Sequence, residues 1–172
     1  MKFTSKTLAF VGLTSAMAIT STSALAFPDF QVDEGSVPGS IANVFTADKI
    51  TGNYVEVATF DGGGTFDVSI KWEAGQFVAD DGTNPVTTQL GSFGTNGYGM
   101  YALFLGSGNF STVAGVKGFN FTSGNLDLFL DPDQDTTFSQ PVTGNVAWTT
   151  GSSAEDILIA TGSIVSGQGT LN

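Results

Sequence analysis

The chain has 172 residues, 16 of them acidic against five basic, for a net charge of −11. It has no cysteine and no histidine, and all five basic residues are lysine. Disulfides, thiol nucleophiles, Cys or His metal centres, His-based acid–base chemistry and bidentate arginine clamps on phosphate are therefore excluded, and an acidic, arginine-free surface is a poor nucleic-acid binder.

The N-terminus reads as an export signal. Lys2 and Lys6 precede an apolar stretch over residues 7–19, a polar segment follows, and Ala24-Leu25-Ala26 supplies the small-x-small pattern read by a signal peptidase, with Ala24 and Ala26 at the cleavage site. The apolar run is too short for a membrane-spanning helix of about 20 residues and is interrupted by Thr14 and Ser15. The division expected is a helical signal peptide over 1–26 and one domain over 27–172. Both lysines would leave with the signal, making the mature chain more acidic still. Exported yet cysteine-free, it must rest on its core and on any bound ions.

The remainder reads as strands and turns, with no amphipathic helix of three turns. Residues 53–60 alternate, with Tyr54, Glu56, Ala58 and Phe60 on one face. Asp61-Gly-Gly-Gly64 is a turn, and 65–72 alternates again, with Phe66, Val68, Ile70 and Trp72 opposed to Asp67, Ser69 and Lys71. These two runs form the clearest hairpin. A turn is expected at 73–75, a short strand at 76–79 and a loop at 80–85. Further strands are expected at 98–105, 118–122, 126–130, 145–149 and 156–164. About eight short strands joined by Gly-, Asn- and Asp-rich turns predict an all-β, antiparallel, jelly-roll-like β-sandwich.

Carboxylates and aromatics carry the remaining chemistry. Asp131, Asp133 and Asp135 alternate directly after a strand, a spacing at which oxygen ligands can converge on calcium. An EF-hand is excluded by Thr136 and Val142 where that loop needs Gly and Glu. The competing reading is a plain Asp-Pro turn, and Asp80 and Asp81 invite the same two readings. Glu56, Asp67 and Glu73 are the carboxylates a glycosidase would need, but any acidic protein offers such pairs, and the chain is read as non-enzymatic. Trp72 and Trp148 lead the candidates for a sugar-stacking surface, with Tyr54, Tyr98 and Tyr101 behind them; core positions are the alternative. Asn-x-Ser/Thr triplets begin at Asn109 and Asn120.

Five segments taken in order, residues 30–39 (FQVDEGSVPG), 45–52, 77–85, 97–102 and 128–137, resemble the flocculation-associated PEP-CTERM proteins of Gram-negative, floc-forming bacteria. The resemblance implies an exported, non-enzymatic surface or matrix protein that supports cell aggregation through exopolysaccharide, with signal peptidase and an exosortase as processing partners. It departs at the C-terminus. Residues 163–172 carry no Pro-Glu-Pro, no apolar span and no basic cluster. Either the chain stops short of its last strands and its sorting tail, which is the expectation, or it is a member that is simply secreted. A secreted carbohydrate-binding module, with or without calcium, is the alternative function.

Overall fold

The computed structural model describes residues 28–92, 96–165 and 167–171. The expected signal peptide, with Ala24 and Ala26, lies outside the described residues. Eleven strands follow in order: β1 Phe30–Asp33, β2 Val44–Ala47, β3 Lys49–Phe60, β4 Thr65–Ala79, β5 Asn84–Pro85, β6 Gly99–Val113, β7 Val116–Asp131, β8 Thr137–Ser139, β9 Thr149–Gly151, β10 Ile157–Ser163 and β11 Gly167–Leu171. The all-β antiparallel architecture expected from the sequence is the one the chain adopts. A seven-stranded sheet runs β10-β7-β6-β4-β3, with β11 beside β10 on β7 and the short β5 on β4. Successive strands are neighbours, so the main sheet is a meander, without the strand exchange between sheets of a jelly roll. Two small sheets, β1-β2 and β8-β9, form the outer layers.

The expected hairpin is present, with Tyr54 opposite Trp72 and Phe60 opposite Phe66. The predicted turn at 73–75 is instead a bulge inside one continuous strand, where the register shifts between Thr51 and Gly52. A Cβ on Gly52 would lie 2.1 Å from the Glu73 carbonyl and against the Trp72 indole, so glycine lets the two backbones close at the bend. Residues 118–122 and 126–130 are likewise parts of a single strand, β7. It is joined to β6 by an Ala114-Gly115 turn in which both residues have positive φ, the geometry of a two-residue hairpin loop. The strand expected at 145–149 is loop; only Thr149 belongs to β9.

The two faces of the main sheet are covered differently. One carries Met100, Leu128 and Leu130, and the β1-β2 hairpin closes over it, packing Val32, Phe45 and Ala47 around Phe77, Leu90 and Tyr98. Further along the same face a phenylalanine cluster takes over. Phe66 makes edge contacts with Phe119 and Phe121 at ring distances of 5.5 and 5.0 Å. The opposite face carries Asp67, Ser69, Lys71, Tyr101 and Leu105. Sequence alternation marks its β4 residues as solvent-facing, yet Ser69 is fully buried. The segment through β8 and β9 covers it, with Phe138 in edge contact with Tyr101 at 4.9 Å and Lys71 Nζ 4.4 Å from the Phe138 ring centre.

One charged group ties the outer layer down. Glu34, in the single 3-10 turn after β1, is 0% exposed. Its Oε1 accepts from the Thr88 hydroxyl, the Gln89 amide N–H (2.8 Å) and the Tyr98 hydroxyl (2.9 Å). Its Oε2 accepts from Asn43 Nδ2 (2.7 Å) and Gln89 Nε2 (3.0 Å). Burial alone raises the pKa of such a group; the Thr88, Asn43 and Gln89 donors outweigh it and hold the carboxyl at about 2, against an ordinary 4.5. A folded-state pKa below the unfolded one adds stability that is full above the unfolded value and is lost as pH falls from about 4.5 towards 2. That difference corresponds to about 3 kcal/mol at neutral pH. Glu34→Gln keeps the shape but turns an amide donor toward donors. Urea unfolding at pH 7 should show a loss of about 3 kcal/mol, a gap that narrows as the pH approaches 2. Equal stability at pH 7 would contradict this assignment.

Candidate functional site

Two constellations concentrate functional groups: the acidic loops and a polar cavity on the Asp67 face.

The three aspartates after β7 do not converge. Asp131 is buried and ends the strand by accepting from the backbone N–H groups of Gln134 (2.6 Å) and Thr136 (3.2 Å), the turn alternative to a metal site. Asp133 and Asp135 are exposed. The carboxylates that meet Asp131 come from the segment before β10. Ligand oxygens of Asp131, Glu155 and Asp156 lie within 4.8 Å of one another. Sequence spacing could not find this set, because the loop and the strand entry are joined only by the β7-β10 pairing. Asp156 is already engaged, taking hydrogen bonds from the Tyr101 hydroxyl (2.5 Å) and from Thr136 Oγ1 (2.9 Å). Burial, then the Asp156 contact and charge, push the Tyr101 hydroxyl pKa well up. Glu155 is pulled down by its own backbone N–H, but hydrogen bonding and charge from Asp135, slight desolvation and the Asp156 charge together raise it. These groups are the only cluster of three or more carboxylates among the described residues close enough to share one ion. Asp80 and Asp81 form a left-handed turn instead, with Asp80 bonded to Asn84.

The aromatic pair is split. Trp72 is half-buried on the Met100 face. Trp148 is 7% exposed and sits on the opposite face, with Lys71 Nζ 5.6 Å from its ring centre. The expected shared stacking surface is therefore absent: the sheet separates the rings, and Trp148 presents no open face. Tyr98 and Tyr101 are core residues, whereas Tyr54 is exposed. The carboxylates of the glycosidase reading are also separated. Glu56 and Asp67 point to opposite faces, and Glu73 is paired with Lys71 at 2.6 Å.

What the sequence does not reveal is a cavity of about 420 Å³ on the Asp67 face. Asp67, Ser107 and Ser123 stand side by side across β4, β6 and β7, with the two serine hydroxyls 2.7 Å apart. Between Ser107 and Gly108 the register shifts and leaves Thr122 without an opposite residue, and its hydroxyl turns back to donate to the Ser107 carbonyl at 3.3 Å. The bulge concentrates hydroxyls at one bend. Asn125 and Ser163 extend the polar wall toward β10, Asn145 closes it from the covering loop, and Leu105 and Ile164 supply apolar patches. No lysine lines the cavity. Its volume falls within the usual range for small-ligand sites. Its chemistry is hydroxyl, amide and one carboxylate, able to accept and donate hydrogen bonds with an uncharged polyhydroxyl group and unsuited to an anion.

Comparison with protein-family models, curated proteins and solved structures finds no match to this chain.

The acidic cluster yields a test of its own. A carboxyl whose folded pKa is raised destabilises the fold once it ionises. In chelator-containing buffer, Glu155→Gln should raise the melting temperature at pH 7, and the gain should vanish as the pH falls and the parent carboxyl protonates. A lower melting temperature at pH 7 would show that the glutamate charge is compensated.

Proposed function

We propose that this chain is an exported, non-enzymatic surface or matrix protein that supports cell aggregation by associating with exopolysaccharide, and that the Asp67–Ser123 cavity is where a neutral sugar unit binds. The observation that carries the reading is that cavity: a sugar-sized space walled by serine and threonine hydroxyls, asparagine amides and one carboxylate, without a cationic side chain. Neutral glycans offer alternating donors and acceptors that such a wall can satisfy. Acidic glycans would meet Asp67 and an acidic protein, with no lysine or arginine in the cavity wall to offset the repulsion. Binding at one such site is weak, and many copies on one surface would supply the avidity that aggregation needs. The segment resemblance described above points the same way, and the split of the Glu56, Asp67 and Glu73 carboxylates favours binding over hydrolysis.

Titration calorimetry with neutral and acidic bacterial polysaccharides tests this. Asp67→Ala and Asn145→Ala should each weaken neutral-glycan binding about three- to tenfold, the equivalent of one lost hydrogen bond, without lowering the melting temperature. Trp72→Ala should leave binding unchanged. Binding confined to acidic glycans, or indifferent to both cavity substitutions, would refute the assignment.

Calcium is a secondary part of the reading and is moved from Asp131, Asp133 and Asp135 to Asp131, Glu155 and Asp156. If calcium acts there, millimolar calcium should raise the melting temperature, and Glu155→Gln should abolish most of the rise. No rise in the parent protein removes calcium from the account.

A further inference from the structure

We propose that β3 is a self-recognition edge, at which a second copy of this chain pairs antiparallel through residues 54–60 about a two-fold axis at Val57. The inference rests on the sheet edge and is independent of the glycan reading.

Among the described residues β3 ends the main sheet, with β4 on one side and no strand on the other. Its outer run, from Asn53 to Phe60, is exposed apart from half-buried Val57 and contains one charged residue, Glu56, and no proline. Natural edges are usually blunted by lysine, proline or a bulge, and the one irregularity in the β3-β4 pairing, the extra Gly75 of β4 beside Thr51 and Gly52, lies outside this run. Tyr54 is 65% and Phe60 45% exposed, an unusual cost for two large rings on one edge strand.

The hydrogen-bonding parity of the strand selects the register. The Asp61 N–H donates to the Thr65 carbonyl at 3.0 Å, and the pairing runs unbroken from Phe60–Phe66 to Asn53–Glu73. In an antiparallel ladder bonded and non-bonded pairs alternate. The odd residues of β3 therefore bond β4, while Tyr54, Glu56, Ala58 and Phe60 turn their N–H and C=O groups outward. A second copy centred on Val57 sets Glu56 opposite Ala58 and Tyr54 opposite Phe60, so every outward-bonding residue meets another. About eight main-chain hydrogen bonds form.

The side chains agree with that register. Each Tyr54 faces a Phe60 of the other copy, giving two cross-strand aromatic pairs. Neither Glu56 faces the other. Lys117 Nζ lies over the Phe60 ring, 5.2 Å from its centre, on the same sheet face as Glu56. Glu56 of the second copy, opposite Ala58, arrives one same-face position from that ring. The two-fold axis makes this complementary contact twice. On a chain of charge −11, attraction at the edge selects this surface over the rest.

The absence of cysteine makes the test direct. At the axis Val57 faces Val57 of the second copy as a non-bonded pair, with Cα atoms about 4.5 Å apart, inside the range a disulfide spans. In a glutathione redox buffer, Val57→Cys should form a disulfide-linked dimer at least tenfold faster than Val113→Cys at the exposed hairpin tip. Sedimentation equilibrium of the unmodified chain should show a concentration-dependent dimer. Lys117→Glu should weaken it at least tenfold, and the double exchange Glu56→Lys with Lys117→Glu should restore it. Cross-linking at Val57 no faster than at Val113, a monomer at all concentrations, or a dimer indifferent to Lys117→Glu would each overturn the proposal.

Discussion

The fold turns on a buried negative charge. Glu34 sits where no carboxylate is stable without compensation, and five donors from residues 43, 88, 89 and 98 supply it. Those donors belong to the strand-linking loop before β2, the segment after β5 and the lead-in to β6. Without the carboxylate they would be buried donors facing one another, a cost of one to three kcal/mol for each left unmet. The network therefore does what apolar contact alone does poorly: it fixes how the β1-β2 layer lies on the sheet. With that layer held, Phe45 can set its ring edge-on to Phe77 at 5.2 Å and Ala47 can be wholly buried.

Sheet coverage explains most of what was legible in the sequence. The 53–60/65–72 hairpin could be read in full because both strands alternate cleanly and a triple-glycine turn separates them. The length of β7 could not, because Ser123 and Gly124 break its apolar pattern in mid-strand, and pairing with β6 carries the backbone through them. The burial of the polar face of β4 is not legible in the sequence for a related reason. Asp67, Ser69 and Lys71 have the character of a solvated face, but the segment that covers them, 137–151, is loop-rich, and the one strand its sequence suggests, at 145–149, is loop but for Thr149. Burial of Ser69 is a tertiary fact with no local cause.

The candidate sites divide along the same line. Asp131 was visible by its spacing, but its role as a backbone acceptor follows from the left-handed turn at Gln134, and its carboxylate neighbours lie more than twenty residues away. Glu34 gave no signal at all, being one acid in a turn whose partners are scattered over 64 residues. The serine cavity was equally hidden, since it depends on a one-residue register shift opposite Thr122. Both proposed contact surfaces, the cavity and the β3 edge, are made mostly of uncharged hydrogen-bonding groups, with one carboxylate each, on an acidic protein. That pairing suits weak, repeated contacts that repulsion elsewhere keeps from becoming indiscriminate.

The central claim is that Glu34 stays ionised in the interior. Carbon-detected NMR of the glutamate carboxyl groups, followed from pH 6 downward while the fold persists, tests it without altering a single atom of the protein. The account predicts that the Glu34 signal barely moves through the ordinary carboxylate range and titrates at about 2. A titration near the ordinary 4.5 would mean that the five donors do not hold the charge, and that the outer layer is fixed by something else.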